Sequence, residues 1–156
     1  MTHEELVKRG AKWLKNNYNS RYRFPIILPE YSCYANSIPD VIGMSHWSTI
    51  IIECKATRSD FKADSRKGHR RHVVQLGNER YYLVPAGLVS SEEVPEKWGL
   101  LYCYDHKITI EKEAVTHPSS ETRPQEYQVM YSLIRRLVSS DGHDKTLELL
   151  RTGATK

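Results

Sequence analysis

The chain has 156 residues, a length that suits one domain with its own hydrophobic core. Its 23 Lys and Arg against 19 Asp and Glu give a formal charge of +4, which permits nucleic-acid binding without requiring it. The 3 cysteines lack CxxC spacing, which argues against a disulfide framework or a zinc site. No apolar run approaches the ~20 residues that span a bilayer, and no secretory signal opens the sequence. We therefore expect a cytoplasmic protein without membrane contacts.

The N-terminal segment predicts a helix that ends near Asn16. Thr2 and Glu5 have the spacing of a capping box, in which each side chain accepts the backbone N–H of the other residue. Apolar residues then recur at helical spacing and define the face that packs on the core. These residues are Leu6, Val7, Gly10, Ala11, Trp13 and Leu14. A first strand is predicted over residues 25–34 and contains Glu30.

Residues 38–55 predict a β-hairpin. Two apolar, β-branched runs flank a polar break at its centre, as in two strands joined by a turn. In an antiparallel pair the numbers of opposed residues sum to a constant. With the turn centred on residues 46 and 47, Gly43 faces Ile50 and Asp40 faces Glu53.

This register gathers charge at one strand end. Glu53 and Lys55 share a face because side chains alternate along a strand, whereas Cys54 points the other way. Opposed carboxylates at Asp40 and Glu53 are unfavourable unless a positive group lies between them. Mg²⁺ suits such a site because it binds one or two carboxylates together with waters and phosphate oxygens. Lys55 would orient or deprotonate a water, or neutralise charge on a phosphate.

The segment after Lys55 predicts a helix capped by Thr57 or Ser59. Its cations include an i,i+4 stripe and a basic loop beyond it. They are Arg58, Lys62, Arg66, Lys67, Arg70 and Arg71. A solvated surface is one interpretation, but the position next to the strand end favours contact with DNA phosphates. Asp60 and Asp64 lie one turn apart, and we expect them to pair with nearby cations such as Lys67 rather than reach the metal site.

Pro39-Asp40 followed by Glu53-Cys54-Lys55 resembles the signature of the PD-(D/E)XK nuclease superfamily. Ser59-Asp60-Phe61 with Ala63-Asp64 is similar to a segment of its MmcB-type branch, although serine and arginine stand in reversed order. The resemblance implies an α/β, restriction-endonuclease-like core with the order α-β-β-β-α-β. It also implies a deoxyribonuclease that depends on Mg²⁺ or Mn²⁺ and acts in DNA repair, recombination or mobile-element DNA processing.

The same resemblance implies roles for individual residues. Asp40 and Glu53 would hold the metal with the carbonyl of Cys54, and Lys55 would complete the catalytic set. Some related nucleases place a further metal-binding glutamate before the Pro-Asp strand, and Glu30 is the candidate here. In other branches the further glutamate lies on the first helix, which leaves Glu5 as the alternative.

The remaining elements extend the sheet and add C-terminal helices. A fourth strand over residues 79–85 would pair parallel to the Glu53 strand, with the intervening helix as crossover. A short capped turn is predicted at 90–93, and a hairpin has its turn at 105 and 106. Residues 117–124 predict a loop bracketed by prolines. Beyond it we predict a packing helix over 126–139 and a short helix over 144–151.

We therefore expect a single domain over residues 1–156, with a mixed central sheet flanked by helices. Its core spans about 1–86, a sheet extension spans 87–115, and C-terminal packing helices span 124–151. The predicted partner is DNA, contacted through its backbone with low sequence specificity, and cutting of both strands would favour a homodimer. The alternative is a catalytically silent DNA-binding or protein-interaction module, for example an inhibitor or adaptor from a mobile element.

Overall fold

A computed structural model describes residues 1–16, 24–32, 39–65 and 76–141, and the following statements concern these residues. The helices are α1 (His3–Asn16), α2 (Arg58–Ser65) and α3 (Ser119–Asp141), with a 3₁₀ turn at Ser91–Glu93. The strands are β1 (Ile26–Pro29), β2 (Val41–Met44), β3 (Thr49–Cys54), β4 (Glu79–Pro85), β5 (Gly99–Cys103) and β6 (Ile108–Lys112). None of the described helices has the length and apolar character needed to cross a bilayer.

One mixed sheet joins the six strands in the order β1-β2-β3-β4-β5-β6. The first three strands are antiparallel, β4 and β5 follow parallel to β3, and β6 returns antiparallel to β5. The predicted parallel pairing of β3 with β4 and the predicted hairpin at 105 and 106 are both confirmed. The elements up to β4 also occur in the predicted order, with α2 as the crossover between the two parallel strands.

Local signals define α1 as predicted. The Thr2 N–H donates to Glu5 Oε2 at 2.6 Å, and the Glu5 N–H donates to Thr2 Oγ1 at 3.2 Å, which completes the capping box. The buried residues of the helix are Leu6, Val7, Gly10, Trp13 and Leu14. This face packs against one side of the sheet, as the helical spacing predicted.

Strand β3 is buried along its whole length because both faces of the sheet are covered. Ile50 and Ile52 belong to the cluster formed with α1, whereas Ile51 packs in a second cluster with Val129 of α3. The register with β2 places Gly43 opposite Ile50, as predicted. A one-residue slip would send every side chain to the opposite face, so this burial fixes the direction of the residues at the strand end.

The prediction for β1 was wrong at its C-terminal end. The strand stops at Pro29, and Glu30 adopts a left-handed backbone conformation with φ of 46°. The Glu30 N–H still donates to the Asp40 carbonyl at 2.8 Å, so the chain turns away just where the ladder with β2 ends. Residues 33 and 34 lie outside the described part of the chain.

The predicted loop at 117–124 was also wrong, because α3 begins at Ser119 and includes Pro124. Proline destabilises a helix because it has no backbone N–H to donate. In α3 the missing hydrogen bond lies in the second turn, where Pro124 is exposed to solvent. Tertiary contacts hold this end of the helix. Asn78 Nδ2 donates to the His117 carbonyl at 2.9 Å and to Ser119 Oγ at 3.2 Å. The buried Arg80 guanidinium also lies 3.5 Å from His117 Nε2.

Helix α3 contacts the sheet with the face opposite to the predicted one. Its buried residues are Thr122, Val129 and Ser132, a small and partly polar set. The large apolar residues predicted to pack are mostly exposed, although Leu133 and Val138 are partly buried. The exposed ones are Tyr127, Met130, Tyr131, Ile134 and Leu137. The second predicted C-terminal helix, over 144–151, lies outside the described residues.

Candidate active site

Asp40 lies directly before β2 and is tied to the end of β3. Its Oδ2 accepts the backbone N–H of Cys54 at 2.6 Å, and its Oδ1 lies 3.4 Å from His3 Nε2 in the first turn of α1. Val41 pairs with Ile52 in the β2–β3 ladder. The next residues along the two strands, Asp40 and Glu53, therefore lie opposite each other, as predicted. In an extended strand the N–H and C=O of one residue point to the same edge, so the Cys54 carbonyl faces the side on which Asp40 lies.

Lys55 lies between two carboxylates at the same strand end. Its Nζ is 3.5 Å from Glu53 Oε2 and 3.7 Å from Asp64 Oδ1. The side chains are nearly enclosed: 13% of Lys55, 6% of Glu53 and 4% of Asp64 is exposed. Tyr82 donates its hydroxyl to Asp64 Oδ2 at 2.8 Å, which fixes the orientation of that carboxylate.

The positions of these side chains follow from the sheet and from α2. Glu53 pairs with Tyr82 in the parallel β3–β4 ladder, so the two side chains share a face. Phe61 of α2 packs edge-on against the Tyr82 ring, with centroids 5.1 Å apart. Asp64 follows Phe61 by three residues and therefore faces the same way, towards the Tyr82 hydroxyl and Lys55.

Acidic side chains gather near the end of β3. Among the described residues, Glu53 and Asp64 flank Lys55, and Asp40 lies beside His3 at the same strand end. Burial raises the pKa of the Cys54 thiol, and the negative charges of Asp40 and Glu53 raise it further. The thiol therefore stays protonated, and the donor that Cys54 offers to a hard cation is its carbonyl oxygen. Carboxylates gathered at one strand end favour a cation there.

The donors present fit a magnesium ion better than a transition metal. The described residues contain no group of three or more His, Cys, Asp or Glu side chains arranged to hold a metal. Asp40 and Glu53 nevertheless flank the same peptide, and both act electrostatically on the Cys54 thiol between them. Mg²⁺ needs only one or two carboxylates, because waters and substrate oxygens complete its shell.

The two candidates for a fourth acidic ligand are not brought into this group. Glu30 is exposed at the end of β1, and its backbone N–H donates to the Asp40 carbonyl. Glu5 accepts the Thr2 N–H in the capping box of α1. The further carboxylate at Lys55 is instead Asp64, which the sequence had suggested as a structural partner of Lys67. His3 and Tyr82 were not identified from the sequence.

The predicted DNA-binding cations are only partly described. Arg58 donates to the Leu88 carbonyl at 2.7 Å and forms an ion pair with Glu93, so it braces α2 against the 3₁₀ turn. Lys62, one turn later, is exposed. The other four cations, Arg66, Lys67, Arg70 and Arg71, lie outside the described residues.

Comparisons with known proteins bear on the fold alone. No family model matches the chain, and no curated protein matches it. The solved structure of SPO1766, a protein of unknown function from Silicibacter pomeroyi, is similar with a TM-score of 0.62 and 19% sequence identity. The match covers 92% of this chain and 94% of that protein, so the two share an α/β architecture over nearly their whole length.

Proposed function

We propose that the protein is a Mg²⁺- or Mn²⁺-dependent deoxyribonuclease with a restriction-endonuclease-like core of the PD-(D/E)XK type. The observation that carries the proposal is the enclosed group at the end of β3. Lys55 lies between Glu53 and Asp64 there, while Asp40 bonds to the adjacent peptide at Cys54. The element order up to β4 and the parallel β3–β4 pairing support the same topology.

In this proposal Asp40, Glu53 and the Cys54 carbonyl hold the metal ion. When bound, the ion supplies Lewis-acid polarisation of a phosphodiester oxygen and lowers the pKa of a coordinated water. Asp40 keeps its position through the Cys54 N–H, and Glu53 through the packing of β3 on both faces. The negative charge of both residues is therefore fixed before the substrate binds, so no reorganisation is needed during the reaction.

Lys55 acts on the reacting phosphate. Its ammonium lies beside Glu53, one of the residues that would hold the metal, and therefore lies near the place where a metal-bound phosphate would bind. There it orients the nucleophilic water or neutralises charge that develops on the non-bridging oxygens. Asp64 keeps the ammonium at this place because one oxygen is fixed by the Tyr82 hydroxyl while the other faces Lys55 Nζ.

The cations on and after α2 contact the phosphate backbone. Such contacts provide affinity that falls with salt and carries little sequence information. Arg58 and Lys62 form the described start of this surface: Lys62 is exposed, and Arg58 forms an ion pair with Glu93.

A cleavage assay tests the proposal. The protein is incubated with supercoiled plasmid, single-stranded oligonucleotide and branched DNA, with Mg²⁺, with Mn²⁺ or with EDTA. We expect metal-dependent cleavage that leaves 5′-phosphate ends. Each of the variants Asp40→Asn, Glu53→Gln and Lys55→Met should reduce the cleavage rate about 100-fold or more, because each removes a group used in the transition state. The exposed Glu111→Gln and Lys107→Met serve as charge-matched controls and retain activity.

Two results would contradict the proposal. Cleavage that persists in Asp40→Asn and Lys55→Met would show that another site or a contaminant is responsible. Binding of DNA by the folded wild type without turnover in either metal would favour the catalytically silent module instead. Circular dichroism of each variant establishes that a loss of activity does not reflect unfolding.

A further inference from the structure

The outward side of α3 carries a continuous apolar surface, which we call the outer face. It consists of Tyr127, Met130, Tyr131, Ile134 and Leu137, whose exposed fractions range from 48% to 70%. Tyr127 and Tyr131 stack on each other with ring centroids 6.5 Å apart, so the exposed aromatic surface is ordered. A helix of a soluble domain normally turns such residues inward, and here they point to solvent.

The spacing of the outer face is that of a helix–helix seam. Tyr127, Met130, Ile134 and Leu137 follow one another at intervals of three, four and three residues, the a/d pattern of a coiled coil. From these exposed fractions and full side-chain areas of roughly 150–250 Å² for the aromatic residues, the outer face offers about 500 Å² per chain. Two such faces supply about 1,000 Å², near the lower limit for a specific interface.

The packing on the opposite side of α3 explains why the helix does not rotate around its axis to bury the outer face. Val129 and Ser132 fit closely against the sheet, and the Tyr31 hydroxyl lies 3.2 Å from Ser132 Oγ. Arg136 adds a cation–π contact over the Tyr31 ring, with 4.6 Å to its centroid. Rotation of the helix would force large side chains into a space that small ones fill, so the apolar face stays outward.

We propose that the outer face binds the outer face of a second copy of this chain, with the two helices antiparallel. A two-fold axis near residue 132 places Tyr127 against Leu137 of the second copy and Met130 against its Ile134. The same two contacts repeat on the other side of the axis, so a single patch is self-complementary and the assembly closes as a dimer.

The charges of α3 favour the antiparallel direction. Its N-terminal half carries Glu121 and Glu126 against Arg123, and its C-terminal half carries Arg135 and Arg136 against Asp141, so the two halves differ in the sign of their net charge. Antiparallel pairing places the acidic half of one helix beside the basic half of the other and opposes the two helix dipoles.

This inference does not depend on the proposed nuclease activity, and its test is separate. Sedimentation velocity of the full chain is measured at about 1–100 µM, a range that spans micromolar dissociation constants. At the upper end it should give twice the chain mass of 18.1 kDa. The variant M130E/I134E should sediment as a monomer at every concentration, while V115E, at a loop residue that is 48% exposed, should dimerise like the wild type. A monomeric wild type overturns the proposal, including the case in which residues 142–156 cover the outer face instead.

Cross-linking tests the geometry in a way that a folding defect cannot imitate. In a C33S background, Tyr131→Cys lies near the two-fold axis and should form an inter-chain disulfide under mild oxidation. Leu137→Cys lies on the same face but far from the axis, opposite Tyr127 of the second copy, and should not, although both cysteines would cross-link if the helices were parallel. Cross-linking at both positions, or at neither in a wild type that is dimeric, overturns the antiparallel arrangement.

Discussion

The ion pair between Lys55 and Asp64 should contribute measurably to stability, because both side chains are enclosed. We consider the single variants Lys55→Met and Asp64→Asn together with the double variant. Lys55→Met leaves two buried carboxylates without their nearest cation, whereas Asp64→Asn leaves Lys55 beside Glu53. The lysine variant should therefore lose more free energy of unfolding than the aspartate variant.

The distances set the magnitude. Unit charges 3.7 Å apart attract by about 4 kcal/mol at an effective dielectric constant of ~20, before the cost of removing both from water. Breaking a buried pair from one side costs about 3–5 kcal/mol, the value we expect for Lys55→Met. Asp64→Asn should cost about 1–3 kcal/mol, since the amide oxygen still accepts the Tyr82 hydroxyl. The coupling between the two changes should be about 1–3 kcal/mol.

Urea unfolding of the four proteins, followed by circular dichroism without divalent metal, measures this coupling. A matched cycle at Lys8 and Glu4 provides the control, because that pair is shorter, at 2.7 Å, but about three-quarters exposed. We expect coupling within experimental error for the control because solvent screens the pair. Equal coupling in the two cycles, or a Lys55→Met variant as stable as the wild type, would refute the argument that burial makes the Lys55 pair strong.

Three further predictions follow from other parts of the structure. Burial and the neighbouring Arg80 lower the pKa of His117, so below about pH 6.5 the unfolded chain binds a proton there more readily than the folded chain does. Stability should thus fall from pH 7 to 5, and an unchanged slope in His117→Gln would contradict this. Gly99→Ala should lower the free energy of unfolding by about 3 kcal/mol, because the added Cβ would lie 2.3 Å from the Tyr81 ring. Gly87→Ala serves as the control: its Cβ meets no atom within 4 Å, so it should lose only about 1 kcal/mol through its left-handed backbone conformation. Burial raises the pKa of the Cys54 and Cys103 thiols. A C33S variant should therefore react with a disulfide reagent at pH 8 only after urea is added, and rapid reaction of the folded variant would refute this prediction.

The features that the sequence predicted well depend on short-range rules. The capping box at Thr2 and Glu5 needs only residues within one turn. The opposition of Asp40 to Glu53 follows from the fixed two-residue period of a strand and a short turn between two apolar runs. Both predictions required no knowledge of what the helix or hairpin packs against.

The features that the sequence did not predict depend on distant partners. Asp64 reaches Lys55 because Phe61 packs on Tyr82, a residue of another strand that sets the rotation of α2. The early start of α3 depends on Asn78, about 40 residues upstream of it, which offsets the effect of Pro124. The helical period of α3 was correctly identified, but the period cannot tell which face the sheet will accept.

The location of the charged group is itself an argument for a functional site. Buried ion pairs rarely stabilise a fold more than well-packed apolar residues of the same size would. Here the surrounding structure could have accepted such residues, since Phe61, Tyr82 and Trp98 already form an aromatic cluster beside Asp64, with the Tyr82 and Trp98 rings stacked 4.6 Å apart. The chain instead places Glu53, Asp64 and Lys55 together at the end of a strand that is buried along its whole length, with Asp40 bonded to the adjacent peptide. Such charges stabilise the fold less than apolar packing would, and they are the groups that the proposed binding of a cation and an anionic substrate requires.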